Sequence, residues 1–453
     1  MKDDYNTLSI VKLTWPIFLQ SLLGLCIGYV DVIMVSNYSE IAVGAIGNAN
    51  QIIGFLTLAF TIISSATGVV VAQYIGAKKN KELNSIYSLS IMINLILGLI
   101  VGVILLLFSR NILSLINVPT EMMDYSNMYL SRVGFVMFTV ALFNVFDQIA
   151  RSNGNTSISL ILTIGMNVLN IIGNYMFLYG PLKYLGMGII GVAYSTIISK
   201  CVGLVFAYIF FAKVIKGKLG IKYITPFPKD IFKLLLSIGI PAAGENFSYD
   251  VSQLVIASII NLLGVVAVNT RMYCTVLTQF SYLFSMSVAI ATSIIVGQAV
   301  GAGQYEYAFK RVRKTLRYAM IVSLAVAFIN YLLSPYTLTL FTNEVTSINS
   351  GTKVMFVALI LEIGRTCNIV IIYSLKAAGD VKFPTMLGIV SEWAIAVTFT
   401  YILTQYTSLS IVGAWIAMAI DELFRAVIVF VRWNRKKWQS KGIFNNEENN
   451  IAA

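Results

Sequence analysis

Histidine is absent from all 453 residues. That excludes an imidazole-ligated metal and any histidine-dependent catalytic triad, and it leaves proton chemistry to carboxylates. Cysteine is scarce: Cys26, Cys201, Cys274 and Cys367 sit in apolar stretches at unrelated spacings. They read as small buried hydrophobes, with neither a disulfide frame nor a zinc site. Charge is scarce too, at 11% of residues, less than half of the ~25% usual in soluble domains. A soluble globular chain is thereby excluded. The net charge of +12 would suit nucleic acid, but the basic residues fall between apolar runs, where membrane topology accounts for them. No nucleic-acid partner and no organic cofactor is expected.

What the chain has in abundance is apolar length. Hydrophobic residues make up 58% and the mean hydropathy is +0.81. Stretches such as 86–108, 192–212 and 411–431 carry very few ionisable residues over the ~20 positions a helix needs to cross hydrocarbon. The ~10-residue alternation of a membrane barrel is missing. Twelve spans are predicted, at 12–36, 44–74, 87–109, 127–150, 157–179, 187–212, 231–262, 266–298, 314–341, 351–378, 384–404 and 409–432. The first continues without a small-residue cleavage site, so it reads as a retained helix, not a signal peptide.

Lysines and arginines gather after the even-numbered spans: Lys78, Lys79 and Lys81, then Arg151, then Lys213 to Lys229, then Lys310 to Lys314, and Lys382. The positive-inside rule then places both termini in the cytoplasm of a bacterial-type inner or plasma membrane.

One motif occurs twice. Gln73-Tyr-Ile-Gly76-Ala77 returns as Gln298-Ala-Val-Gly301-Ala302, 225 residues later, and the same offset carries Pro16 to Pro241, Ala42-Val43 to Ala267-Val268, and Arg151-Ser-Asn-Gly154 to Lys376-Ala-Ala-Gly379. The chain reads as a duplicated unit. Six spans per copy make the copies parallel. The predicted architecture is therefore an all-α integral membrane protein, with twelve transmembrane helices in two parallel six-helix repeats around a central cleft. Its parts are an N-terminal lobe at 1–212, a linker at 213–230, a C-terminal lobe at 231–434 and a cytoplasmic tail at 435–453. Pro16 and Pro241, each deleting one helical hydrogen bond, are candidate hinges; a fixed packing bend is the alternative.

An ionisable group near the bilayer centre costs at least ~2.5–3.5 kcal/mol, so each one inside a span needs a reason. Asp31 lies about 8 Å below the outer end of the first span, at nearly the depth of Asn174, with Asn170 one turn deeper on the same face and Thr196 at a similar level. One carboxylate, two amides and a hydroxyl suit Na⁺ or a hydrogen-bonded carboxyl that takes up a proton. Interhelical hydrogen bonding is the competing role. In the second half, Glu245 is about 20 Å in from the cytoplasmic end of its span and Glu362 about 16 Å in from the outer end. Arg365 follows Glu362 by three residues and argues for a structural ion pair there. Asp147 with Arg151 and Asp421 with Arg425 have the spacing of helical ion pairs, whereas Asp250 and Glu392 are not assigned.

Trp15-Pro16 leading to Val30-Asp31, Val71-Ala-Gln73-Tyr-Ile-Gly76-Ala77, Arg151-Ser-Asn-Gly154, Gly239-Ile-Pro241 with Glu245, Gly297-Gln298-Ala-Val-Gly301-Ala302, Leu375-Lys-Ala-Ala-Gly379-Asp380 and Asp421-Glu422 with Arg425 follow one another in this order. In this the chain resembles the multidrug and toxic compound extrusion (MATE) family over essentially its full length. The resemblance implies two six-helix lobes, alternating access and efflux of organic cations in exchange for Na⁺ or H⁺. It carries the family's amino-terminal cation site onto Asp31, Asn170, Asn174 and Thr196, and its carboxy-terminal acids onto Glu245 and Glu362. Some branches have aspartate where this chain has Asn174, which puts a two-carboxylate proton site in doubt here.

The expected function is a secondary antiporter, not an enzyme, that exports cationic or amphipathic drugs across the bilayer and works as a monomer. A flippase for lipid-linked saccharides is the related alternative, though a pyrophosphate head group calls for more deeply placed cations than Arg365 and Lys200. A channel or an embedded enzyme is the alternative of another class.

Overall fold

The computed structural model describes residues 8–444, and among them every regular element is a helix. The chain runs through α1 (Ile10–Tyr38), α2 (Glu40–Gly76), α3 (Asn80–Leu115), α4 (Thr120–Phe135), α5 (Met137–Ser152), α6 (Thr156–Leu178) and α7 (Ile189–Phe210). After the connection come α8 (Lys229–Asn261), α9 (Val265–Gly301), α10 (Tyr305–Thr337), α11 (Val345–Ala377), α12 (Lys382–Ser391), α13 (Thr398–Gln405) and α14 (Ser410–Asn434).

Each predicted span falls on one of these helices or on a broken pair. The fourth span breaks at Val136 into α4 and α5, which are bent by 49°. The eleventh is α12 and α13 joined by a π turn at Glu392–Val397, and a second π turn, Phe211–Ile215, closes α7.

Nine helices are long and apolar enough to cross a membrane among the described residues, or ten with the bent pair. The predicted spans on α8 and α14 fall short of that measure. Glu245, Asn246, Ser248, Asp250 and Ser252 dilute α8, and α14 carries Asp421, Glu422 and Arg425 within five residues. α8 is therefore polar at the acid that sequence reading assigns to chemistry, and α14 at its expected Asp421–Arg425 ion pair; hydropathy alone misses both.

The helices gather into two compact units. One comprises Leu19–Ile75 and Lys79–Gly239; the other comprises the described residues of Met1–Phe18, Gly76–Lys78 and Ile240–Ala453. The N-terminal unit has a core of Phe60, Leu105, Leu130 and Met137, each fully buried, with Ala42, Ala49 and Ala193 letting helices close up. In the C-terminal unit, Ile256, Ile260, Cys274, Leu338 and Val354 form one core, and Val296, Val312, Val370, Leu375 and Trp433 form another. Leu13 and Ile17, at the start of α1, pack on Ala291, Ile294 and Ile295 of α9 within this unit.

Large apolar side chains cover the outer faces. Leu99, Ile100, Val103 and Leu107 of α3, and Ile321, Phe328, Ile329 and Leu332 of α10, are all exposed. Patches of this kind are unstable in water and suited to lipid.

α1 runs through Pro16 and α8 through Pro241 without interruption. In the connection after α7, Lys218 donates its backbone N–H to Asn84 Oδ1 at 2.9 Å and Gly220 donates to Ser88 Oγ at 3.3 Å. Beyond α14, a 3₁₀ turn at Lys437–Lys441 brings Trp438 onto Trp433, with ring centroids 4.3 Å apart. The rest of the predicted tail, 445–453, and the charged Lys2, Asp3 and Asp4 lie outside the described residues.

Candidate functional site

Each unit holds a polar cluster among apolar helices. In the N-terminal unit, Asp31 comes from α1, Asn170 and Asn174 from successive turns of α6, and Thr196 from α7. Gly173 sets the spacing between the last two helices: a Cβ there would sit 2.3 Å from Ser195 Oγ. Only a glycine lets α6 and α7 approach this closely. Ser195 then donates to the Asn170 carbonyl at 2.8 Å, pinning the two helices together beside the site.

Asn174 Nδ2 donates to Asp31 Oδ1 at 3.2 Å. The hydrogen-bond network orients the Asn170 amide with Nδ2 donating to Asp31 Oδ2 at 2.9 Å and Oδ1 accepting from Thr196 Oγ1 at 3.2 Å. Both carboxylate oxygens are then satisfied. Tyr129 on α4 closes the set, its hydroxyl 3.5 Å from Thr196 Oγ1. Asn174 is buried, and its Oδ1 has no hydrogen-bond partner among the described residues. A buried amide oxygen left unpaired costs about 1–3 kcal/mol, so this oxygen is one that a cation or a donor would satisfy.

The same unit carries a second polar contact. Arg151, at the end of α5, pairs with Asp147 on its own helix at 2.8 Å and donates to Gln20 Oε1 on α1 at 3.0 Å. Gln20 in turn donates to Thr163 on α6 at 2.7 Å.

In the C-terminal unit, the residues 225 positions later repeat this arrangement with a change of charge. Lys376, at the end of α11, lies 2.8 Å from Glu245 Oε2 on α8, and Thr385 in the first turn of α12 donates to the same oxygen at 2.7 Å. Glu362 lies elsewhere on α11, among hydroxyls: Ser285 of α9 and Thr366 donate to its Oε1 at 3.1 and 3.0 Å. Glu245 and Glu362 share no hydrogen-bond or ion-pair partner among the described residues.

Arg365 stands 4.0 Å from both Glu362 and Glu422. Its pairing with Glu362 is therefore at the outer limit of a salt bridge. Arg425 gathers Asp421 at 2.7 Å, Glu422 at 3.3 Å and Glu392 at 3.6 Å. Gly364 allows this, because a Cβ there would meet the backbone of Glu422 and Leu423 at 2.7 Å. The close crossing of α11 and α14 puts the two arginines among the acids.

The structure thus brings Asp31, Asn170, Asn174 and Thr196 into one cluster and leaves Glu245 and Glu362 in separate surroundings. Tyr129, Ser195, Thr385 and Ser285 join these sites without having been predicted. Lys376 was visible only as the counterpart of Arg151. Lys200, one turn beyond Thr196 on α7, has no acidic partner among the described residues.

Two helical units from a duplicated chain, each with a polar cluster among its apolar helices, have the architecture of a membrane transporter. The MatE family model matches the chain twice, over residues 16–176 and 241–402, so the two matches start 225 positions apart, at Pro16 and Pro241. The chain belongs to the MATE family of transporters.

An uncharacterized transporter of Bacillus subtilis strain 168, YisQ, is 32% identical over 438 residues, 97% of this chain and 96% of its own. The probable multidrug resistance protein NorM of Thermotoga maritima is 24% identical over 447 residues, 97% and 94% of the two chains. Among solved structures, a MATE protein in the bent conformation has a TM-score of 0.87 at 20% identity over 96% of both chains. An outward-facing multidrug resistance MATE family transporter has a TM-score of 0.84 at 20% identity, over 94% of this chain and 95% of its own. Both share the fold.

Proposed function

We propose that this transporter is a secondary antiporter that exports organic cations or amphipathic drugs in exchange for Na⁺ or H⁺. The observation that carries the reading is the cluster around Asp31, with its unpaired Asn174 Oδ1. A carboxylate, two amide oxygens and a hydroxyl make an oxygen-rich set that fits a small hard cation, and Asp31 alone can take a proton. In this reading the coupling ion occupies the Asp31 cluster, and Glu245 is the acid that meets the cationic substrate. Glu362 is a further acid available to the exchange. Pro16 and Pro241 are the positions where α1 and α8 bend between states. The chain works as a monomer in a bacterial inner membrane with both termini in the cytoplasm. The relatives named as multidrug resistance proteins support the substrate class. A pyrophosphate-bearing lipid is a poorer fit, because Arg365, Lys376 and Arg425 each stand beside acids, which leaves Lys200 alone of the cations considered without one among the described residues.

The test is efflux of a fluorescent cation from everted vesicles, with sodium and proton gradients imposed separately. Asp31→Asn is expected to abolish ion-driven efflux while the protein remains folded in the membrane. Normal efflux under both gradients would remove Asp31 from the mechanism.

A further inference from the structure

The duplicated frame shows where a counter-ion has moved. In the N-terminal unit the basic residue Arg151 has a carboxylate on its own helix, Asp147, and a neutral partner across the helix gap, Gln20. In the C-terminal unit the residue equivalent to Asp147 is Ile372, and the one equivalent to Gln20 is Glu245. Lys376 therefore lacks an acid on its own helix one turn back and takes Glu245 as its only ion-pair partner among the described residues.

The geometry of Glu245 leaves room for an exchange. Its bonds to Lys376 and Thr385 both fall on Oε2, and Oε1 accepts no hydrogen bond among the described residues. Beside Oε1 is Gly388, where a Cβ would touch the carboxyl group at 3.5 Å, so the glycine keeps one more side chain off that flank. The Lys376 ammonium is a compact charge on a flexible four-carbon stem, able to leave without moving the backbone. Its side chain is 17% exposed and that of Glu245 13%, so neither charge is sealed away from an incoming cation.

From this we infer that Lys376 is a tethered competitor at Glu245: the protein supplies its own cation to the acid, and an organic cation binds there by displacing it. This rests on the proposed role of Glu245 as the substrate acid. The consequence is a selectivity threshold. Only cations that outbid a primary ammonium, through apolar contact as well as charge, occupy the site, and each one that does sets Lys376 free of its only carboxylate.

The experiment measures ethidium binding by fluorescence anisotropy to the purified full chain in detergent, at pH 8.5, for wild type, Lys376→Gln, Lys376→Arg, Glu245→Gln and Arg151→Gln. Removing the competitor is expected to tighten binding about tenfold in Lys376→Gln, the equivalent of about 1.4 kcal/mol. Lys376→Arg keeps the charge and can hold the carboxylate through two N–H groups, so it is expected to bind no better than wild type. Arg151→Gln, where the cross-helix partner is neutral, should leave the affinity unchanged.

If Glu245→Gln weakens binding but Lys376→Gln does not tighten it, the competitor is overturned and the role of Glu245 survives. If Glu245→Gln binds as wild type does, the role of Glu245 itself falls. Should Lys376→Gln fail to fold, Lys376→Arg still decides, since tighter binding by a charge-conserving variant contradicts displacement.

Discussion

The two units solve the same problem, polar groups inside apolar helices, by opposite means. Around Asp31 the N-terminal unit surrounds a single acid with amides and hydroxyls, and one buried oxygen is left over. The C-terminal unit answers charge with charge: four acids, Glu362, Glu392, Asp421 and Glu422, are gathered on two arginines. A neutral shell can accept or release a cation with little rearrangement. An ion-pair network holds its members more tightly, because removing any one of them strands a charge in a low-dielectric interior. The first cluster is thus joined by neutral hydrogen bonds, and the second ties α11, α14 and the π turn at Glu392–Val397 by ion pairs.

This contrast can be broken at its strongest point by Arg425→Met. It leaves three acids without their common partner in the buried network and should destabilise the C-terminal unit by about 3–5 kcal/mol. The measurement is thermal unfolding in detergent. A change below about 1 kcal/mol would mean that the acids do not depend on the arginine and that the units are not built differently.

Gly173→Val tests the neutral shell. Its new side chain must push Ser195 aside, with an overpacking cost of about 1–3 kcal/mol. Efflux should fall as Asn170 and Asn174 separate from Thr196, while ethidium affinity at Glu245 stays near that of wild type. A parallel loss of affinity would show that the two sites are not separable.

The smallest effect belongs to Gln20→Glu, which gives the N-terminal unit the acid that the C-terminal unit has. Arg151 already has Asp147, and the attraction of the new carboxylate to Arg151 offsets most of its desolvation cost, so stability is expected to change by no more than about 1 kcal/mol. A larger gain would mean that Arg151 was short of a counter-ion after all.

Much of this was legible in the residues alone, for a physical reason that also marks the limit. Helical periodicity and rise place Asp31, Asn170, Asn174 and Thr196 within about one turn of the same depth, and the structure joins them by hydrogen bonds. The spacing of Asp147 with Arg151 and of Asp421 with Arg425 announces pairs that are there at 2.8 and 2.7 Å. Both are local relations, fixed by a single helix or by a shared bilayer depth. Lys376 and Glu245 are 131 positions apart and meet through the packing of α8 against the end of α11, which no periodicity encodes. The break at Val136 escaped for a related reason: its one local signal is Gly134, and a lone glycine inside an apolar run also serves close helix packing, so sequence reading carries the helix straight through. The π turn at Glu392–Val397 is silent in hydropathy, since an inserted residue changes the face of a helix without changing its composition.

The Asp31 carboxyl and the two amides that hold it stand on different helices, the acid on α1 and both amides on α6. Both of its amide bonds therefore depend on one helix pair keeping register. A slide of α1 along α6 by a fraction of a turn would loosen the two bonds together, so the charge state of this one acid and the relative position of two helices are mechanically the same variable.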